Sequence, residues 1–227
     1  MKRSYFSSPF TCEKCGFTLI ELLAGIAITA ILAMLLLSGV RQVKDMANSS
    51  TNISNIRQII VGYKMLIVDS GGTVEAFTGG AGNENMIYAK QLYTKGFIDS
   101  KKVFFSPFYK DNSDIDFWQW YISYGLNTEV PAWSGSGSAK EFNYMVQSEI
   151  DYPLIATTLH PNDEVLERGI FRLRLKADTG NINLVSNGMA HVGFLDGSVR
   201  SMSPQELSRV GVESGYEWGE NRILFSE

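Results

Sequence analysis

An unbroken apolar run from Phe17 to Leu37 constrains this chain more than any other feature of its sequence. The run has 21 residues, and Glu21 is its one charged residue. As a helix with a rise of about 1.5 Å per residue it would be about 31 Å long, enough to cross the hydrocarbon core of a bilayer. An acid inside a span costs about 2.5 to 3.5 kcal/mol at the centre and less near an end. Glu21 therefore needs the interface or a partner, and a partner implies assembly.

The residues before this run define the kind of export signal. A basic leader with Lys2, Arg3 and Lys14 comes first, and Gly16 separates it from the apolar stretch. An ordinary secretory signal has its small-residue cleavage site after the apolar region, so cleavage removes that region. A cut after Gly16 would instead leave the membrane helix on the mature protein.

The segment Gly16-Phe17-Thr18-Leu19-Ile20-Glu21-Leu22-Leu23 resembles the class III signal of type IV prepilins and pseudopilins. The resemblance implies that a prepilin peptidase cuts between Gly16 and Phe17 and N-methylates the new amino terminus of Phe17. It also implies that Glu21 faces the Phe17 amine of another copy, or of a related pilin-like subunit, in a filament. The alternative is an uncleaved signal anchor whose Glu21 reaches towards the membrane interface.

The same resemblance implies a location and a set of partners. The leader would lie in the cytoplasm, the span in the lipid of a bacterial inner membrane and the rest of the chain outside. An inner-membrane platform protein and an assembly ATPase would then draw subunits into the filament. The positive-inside rule gives little indication of the orientation of the span, because three basic residues precede it and two, Arg41 and Lys44, soon follow it.

Composition favours a single tethered domain. The 227 residues include 13 Phe, 10 Tyr and 4 Trp, which is ample for a core, and no second apolar stretch approaches the length of a span. A net charge of −4 gives no indication of a nucleic-acid partner. Both cysteines, Cys12 and Cys15, lie in the leader, so the mature chain would have no disulfide. Many type IV pilins have one, and its absence favours the pseudopilin side of the family.

The apolar run continues into a second helical segment of different character. From Gln42 to Asp69 the apolar residues recur mostly at spacings of three and four, which predicts an amphipathic helix that ends at Gly71-Gly72. We therefore expect four segments along the chain. They are a removed leader at 1–16, a transmembrane half-helix at 17–37, an amphipathic half-helix at 38–70 and a globular extracytoplasmic domain at 71–227.

The remainder of the chain has the pattern of a β-rich domain with many loops. The predicted strands are Lys102–Phe105, Phe117–Tyr124, Leu154–Thr158, Gly169–Leu175, Ile182–Val185, Ala190–Leu195 and Ser198–Met202. Short helices are predicted over Asn85–Lys95 and from Ser203, where Ser203 suits the N-cap and Pro204 the first helical position. The fold class is therefore α+β and pilin-like, with one long amino-terminal helix packed on a small antiparallel β-rich domain.

One hairpin in this half carries a second resemblance. Two alternating strands meet at Asp196-Gly197, a dipeptide that suits a two-residue type I′ turn. The hairpin resembles the carboxyl-terminal H-X9-DG element of a group of prepilin-like proteins. In that element a histidine precedes the Asp-Gly by nine intervening residues, and in this chain Ser186 stands at that position.

The chain offers little for catalysis or metal binding. His160 and His191 are the two histidines, and neither neighbours a nucleophile motif or a metal-ligand spacing, so we predict no enzyme and no cofactor. Asp111, Asp114 and Asp116 are weak calcium candidates, because their oxygen ligands have the right hardness but the loop lacks the glycine and terminal glutamate of an EF-hand. A solvated turn is the alternative.

Two classes of function follow from the sequence. The first is a structural subunit of a type II secretion pseudopilus or of a type IV pilus-like filament. The second is a membrane-tethered extracytoplasmic module that binds or processes a ligand and uses the prepilin signal for export. The amino-terminal motif favours the filament subunit.

Overall fold

The protein has an α+β, pilin-like architecture in which one long amino-terminal helix precedes a β-rich domain. The computed structural model describes residues 17–75, 77–78, 86–109, 122–127, 133–134, 141–143, 153–159, 172–173, 181–217 and 222–225. The chain divides into two compact units, Met1–Lys44 and Asp45–Glu227.

The long helix, α1, spans Leu19–Asp69 and contributes to both units. Within the described residues it is the one helix whose length and composition would allow it to cross a membrane. Its end follows the prediction: the Gly72 amide donates to the Ile67 carbonyl at 2.8 Å and the Gly71 amide donates to Val68 at 3.2 Å. Gly71 has a φ of 73°, so these bonds form the glycine-terminated stop that satisfies the last carbonyls of a helix.

Short elements follow α1 along the described chain. Two further α-helices, α2 and α3, span Tyr88–Thr94 and Pro204–Arg209, and a 3₁₀ helix spans Lys101–Phe104. The strands β1 to β13 are Thr73–Glu75, Phe77–Thr78, Met86–Ile87, Tyr124–Asn127, Trp133–Ser134, Glu141–Asn143, Pro153–Thr157, Arg172–Leu173, Ile182–Leu184, Ala190–Phe194, Val199–Met202, Ser214–Glu217 and Arg222–Leu224.

The largest sheet of the described strands has five members in the order β11-β10-β7-β4-β8. Its pairs are antiparallel except for β4 and β8, which run parallel. A three-stranded sheet, β13-β12-β9, is joined to it by a bridge between Thr158 and Ile182. The other described strands form a three-stranded sheet, β1-β6-β5, and the pair β2-β3.

The five-stranded sheet separates two apolar clusters. On one face it packs against the amphipathic part of α1 through buried residues such as Ile56, Ile60 and Tyr63. On the other face Val192 and Phe194 of β10 pack with residues of β9 and α3. Every residue of β4, β7 and β10 is buried, because both faces of the sheet centre are covered.

Two predicted strands differ from the structure. Residues 101–104 form a 3₁₀ helix where a strand at Lys102–Phe105 was predicted, so that prediction is wrong. The physical reason is local hydrogen bonding: the Val103 amide donates to the Ser100 carbonyl at 3.3 Å and the Phe105 amide to the Lys102 carbonyl at 3.1 Å, so these backbone groups bond within the turn and not in a strand ladder. The strand predicted to end at Tyr124 instead begins there, and residues 117–121 lie outside the described residues.

Candidate functional site

The amino-terminal motif begins α1 with a reciprocal set of hydrogen bonds between Thr18 and Glu21. The Thr18 amide and hydroxyl donate to Glu21 Oε2 at 2.9 and 2.8 Å, and the Glu21 amide donates to Thr18 Oγ1 at 3.3 Å. Because α1 starts at Leu19, Thr18 is its N-cap and Glu21 its third residue. This is a capping box, in which a Ser or Thr and the Glu three residues later satisfy each other's backbone amides.

The capping box gives Glu21, an acid inside a membrane span, hydrogen-bond partners within its own subunit. The Glu21 carboxylate accepts two hydrogen bonds within its own chain, so that cost does not by itself require a second subunit. The spacing Thr18-x-x-Glu21 is a local sequence signal for a helix start, from which this capping box could have been predicted. The bonds also hold the carboxylate beside the backbone amide that immediately follows Phe17.

The second resemblance falls on a described hairpin. Strands β10 and β11 pair in antiparallel register around Asp196-Gly197, as predicted, but the predicted two-residue type I′ turn is wrong. The Phe194 amide donates to the Ser198 carbonyl at 2.9 Å, which leaves a three-residue loop, and within that loop only Gly197 has the positive φ that a type I′ turn requires at two residues. Asp196 Oδ1 accepts a 2.7 Å hydrogen bond from the Ser198 amide, which helps to lower the pKa of the carboxyl, and Gly197 has a φ of 97°. Ser186, at the position of the signature histidine, accepts a 2.7 Å bond from the Ser49 hydroxyl on α1. The structure thus places Ser186 against α1 and not in the Asp196-Gly197 turn.

A buried polar cluster lies between α1 and the five-stranded sheet, and its centre is Asn52. Asn52 is 0% exposed, and its side chain contacts Ser106, Tyr124, Thr157 and His191. His191 is hydrogen-bonded to Asn52 and 1% exposed. Burial lowers its pKa to about 4, so the imidazole is neutral at pH 7. Its role as the partner of an asparagine on α1 had no signal in the sequence.

Four predicted site residues lie outside the described residues: Gly16 and the calcium candidates Asp111, Asp114 and Asp116. Cys12, Cys15 and His160, for which no function was predicted, also lie outside them. Among the residues that the structure does describe, no three His, Cys, Asp or Glu side chains converge as metal ligands would.

Comparison with known proteins identifies the amino-terminal motif. Residues 13–37 match the family model described as the prokaryotic N-terminal methylation motif, which confirms the resemblance to type IV prepilins and pseudopilins. The match extends over the leader end, Gly16, Phe17 and Glu21. It indicates a prepilin-type substrate of a prepilin peptidase, and with the apolar helix it fits a membrane-anchored protein. No curated protein and no solved structure matches the chain.

Proposed function

We propose that the protein is a structural subunit of a filament of the type II secretion pseudopilus or type IV pilus kind. The observation that carries the proposal is the methylation motif at residues 13–37, followed by a helix that is apolar through Leu37 and packs on a sheet in its second half. Proteins with this motif are pilin-like structural subunits, so the proposed role is mechanical and the chain is no enzyme.

Processing is the first step of the proposed function. Cleavage would follow Gly16, and methylation would fall on the new amine of Phe17, leaving the segments 17–37, 38–70 and 71–227 in the mature chain. The globular part would lie outside the cytoplasmic membrane, with the inner-membrane platform and its ATPase as assembly partners. The mature chain would then have no cysteine, since both lie in the leader.

Mass spectrometry of the amino terminus tests this step directly. From membranes of cells with an active prepilin peptidase we expect a chain that begins with N-methylated Phe17. The matched control is Gly16→Leu, which should keep Met1 because a bulky residue blocks the cleavage position. Recovery of intact Met1 from the unchanged chain would contradict the proposal.

The role proposed for Glu21 is an assembly contact with the Phe17 amine of another subunit. In a low-dielectric setting a carboxylate and an ammonium attract strongly, although desolvation offsets much of the gain, so the pair would chiefly set register. The capping box offers a competing role, which is to start the helix. The two roles can be separated, because one needs the charge and the other needs only a hydrogen-bond acceptor.

Three variants separate these roles. Glu21→Gln keeps an acceptor for the cap and removes the charge, Glu21→Val removes both, and Thr18→Ala removes the cap hydroxyl and keeps the charge. We expect Glu21→Gln and Glu21→Val to lower the fraction of subunit in sheared filaments by at least about tenfold, about 1.4 kcal/mol of assembly energy. Thr18→Ala should assemble far better than either.

Two outcomes would contradict the assembly contact. Normal assembly of Glu21→Val would remove Glu21 from the mechanism altogether. Normal assembly of Glu21→Gln together with failure of Thr18→Ala would assign Glu21 to the cap alone. Cleavage and membrane insertion, measured in the same cells, should be unchanged in all three variants and serve as the control.

A further inference from the structure

The side chain of Asn52 uses all of its hydrogen-bonding capacity on four parts of the fold. Its Nδ2 donates to Thr157 Oγ1 on β7 at 3.0 Å and lies 2.7 Å from His191 Nδ1 on β10. Its Oδ1 accepts from the hydroxyls of Ser106 and of Tyr124 on β4, both at 2.7 Å. One fully buried amide therefore joins α1 to three strands and to the segment that contains Ser106, which are far apart in sequence.

The orientation of the Asn52 side-chain amide, that is, which end is nitrogen and which is oxygen, follows from a backbone carbonyl at the edge of the cluster. The Phe105 carbonyl can only accept, so Asn55, 3.3 Å away, must present Nδ2 there, and the same Nδ2 donates to the Tyr124 hydroxyl at 3.3 Å. The Tyr124 hydroxyl then has its own hydrogen for Asn52 Oδ1. The reversed amide would leave a buried hydroxyl hydrogen of Tyr124 without this acceptor, which is costly.

This orientation sets the state of the imidazole. Because Asn52 Nδ2 can only donate, His191 Nδ1 must be the unprotonated acceptor, and the neutral ring carries its hydrogen on Nε2. A proton on Nδ1 would point at the amide hydrogens of Asn52. The ring could then be accommodated only if it and the asparagine moved apart.

The surroundings offer an imidazolium no compensating charge among the described residues that face it. On α1 it meets Asn52, across the ladder on β11 it meets Ser201, and the ring of Phe108 lies 6.1 Å from it between centroids. Two titratable side chains lie on the segments that contact Asn52 and His191: Tyr124, which donates to Asn52, and Tyr109, next to Phe108. Burial raises the pKa of both phenols, so they stay neutral.

We infer that Asn52 and His191 form an acid-sensitive latch that holds residues 49–55 of α1 on the five-stranded sheet. At neutral pH the neutral imidazole accepts from Asn52 and the latch is closed. Protonation of His191 removes the acceptor, separates the two side chains and releases this part of the helix. Ser49, which donates to Ser186 at 2.7 Å, and Asn55 mark the two ends of the segment held in this way.

The sign of the pH dependence follows from linkage. In the opened segment His191 has its ordinary pKa of 6.5, whereas in the closed state its pKa is about 4. The opened state binds more protons between these values, so the latch contributes fully above about pH 6.5 and is lost as the pH falls towards 4.

Hydrogen exchange of the full processed chain in detergent micelles tests the latch. After correction for the intrinsic exchange rate, the opening constant of residues 49–55 should rise by up to about 50-fold between about pH 7 and about pH 4.5. His191→Asn is the matched variant, because its Oδ1 can accept from Asn52 where Nδ1 did and it does not titrate. Over the same pH range, the rise in the opening constant of this variant should be at least about tenfold smaller than the rise in the unchanged chain.

Two further measurements keep the test decisive if that variant fails to fold. Imidazole ¹⁵N shifts of the unchanged chain should show the Nε2–H tautomer of His191 at neutral pH, with His160→Gln assigning the two rings. Asn52→Asp should raise the pKa of His191, because a carboxylate favours the imidazolium. A proton on Nδ1 at neutral pH, equal acid responses of unchanged and His191→Asn chains, or a response lost in His160→Gln would overturn the inference.

Discussion

Gly193 shows at the scale of one residue why the helix and the sheet can approach so closely. It lies on β10 on the same face as His191, and a Cβ added there would lie 2.5 Å from Ile60 Cδ1 and 2.6 Å from Ile56 Cγ2. Cβ atoms do not approach other carbon atoms so closely, so a side chain at this position would push α1 away from the strand. The glycine is thus required by the packing of α1.

Gly193→Ala should therefore lower the free energy of unfolding by about 1 to 3 kcal/mol, the usual cost of an extra methyl in a packed core. Denaturant unfolding of the full processed chain in detergent micelles would measure this change. Gly39→Ala is the matched control, because an added Cβ there has nothing within 4 Å and alanine is the better helix former. Equal stability of the two variants would show that α1 does not rest on Gly193.

Residue roles differ in how far the sequence reveals them. Thr18 and Glu21 are three residues apart, so the capping box can be read from the sequence as a local pattern. The partners of Asn52 are 54, 72, 105 and 139 residues away along the chain. No local pattern links residues at such separations, so the buried cluster could not be predicted.

At the scale of elements, two helix ends were predicted correctly, whereas the predicted start of α2 at Asn85 is wrong. α2 begins at Tyr88, because Met86 and Ile87 pair with β2 as a strand. The stop of α1 at Gly71-Gly72 and the start of α3 at Ser203-Pro204 are both confirmed. Both are determined by bonds between residues within five positions of each other, so local chemistry decides them. The 3₁₀ helix at 101–104 was missed because Val103-Phe104-Phe105 has a high β-propensity, whereas the Val103 and Phe105 amides donate to carbonyls three residues back along the chain.

The start of α3 gives a direct test of this local chemistry. The Ser203 hydroxyl accepts from the Glu206 amide at 3.4 Å, and the Glu206 carboxylate accepts from the Ser203 amide at 2.8 Å. Ser203→Ala should lower the free energy of unfolding by about 1 kcal/mol, the usual loss for an N-cap. Ser208→Ala, within the same helix but away from the cap, should change it by less than about 0.5 kcal/mol in thermal unfolding. Equal losses would contradict the capping role of Ser203.

At the scale of the whole molecule, the sheet centre is buried on both faces. Residues of β10 alternate between α1 on one side, through His191 and Gly193, and the second apolar cluster on the other, through Val192 and Phe194. A strand covered on both faces lacks the alternation of polar and apolar residues that marks a half-exposed strand. This explains why β7 was predicted from an apolar and β-branched run, whereas the strand order β11-β10-β7-β4-β8 was not predicted.

The sequence by itself determined the amino-terminal signal, the apolar span, the amphipathic continuation of the helix and the α+β class. Each of these depends on residues close together in the chain, through hydrophobic periodicity, capping and turn chemistry. Tertiary structure alone decided that Asn52 and Asn55 of α1 are buried, that His191 is a neutral acceptor for Asn52, and that α1 packs closely on Gly193. Those outcomes depend on which distant segments meet, because hydrogen bonding and close packing act through space.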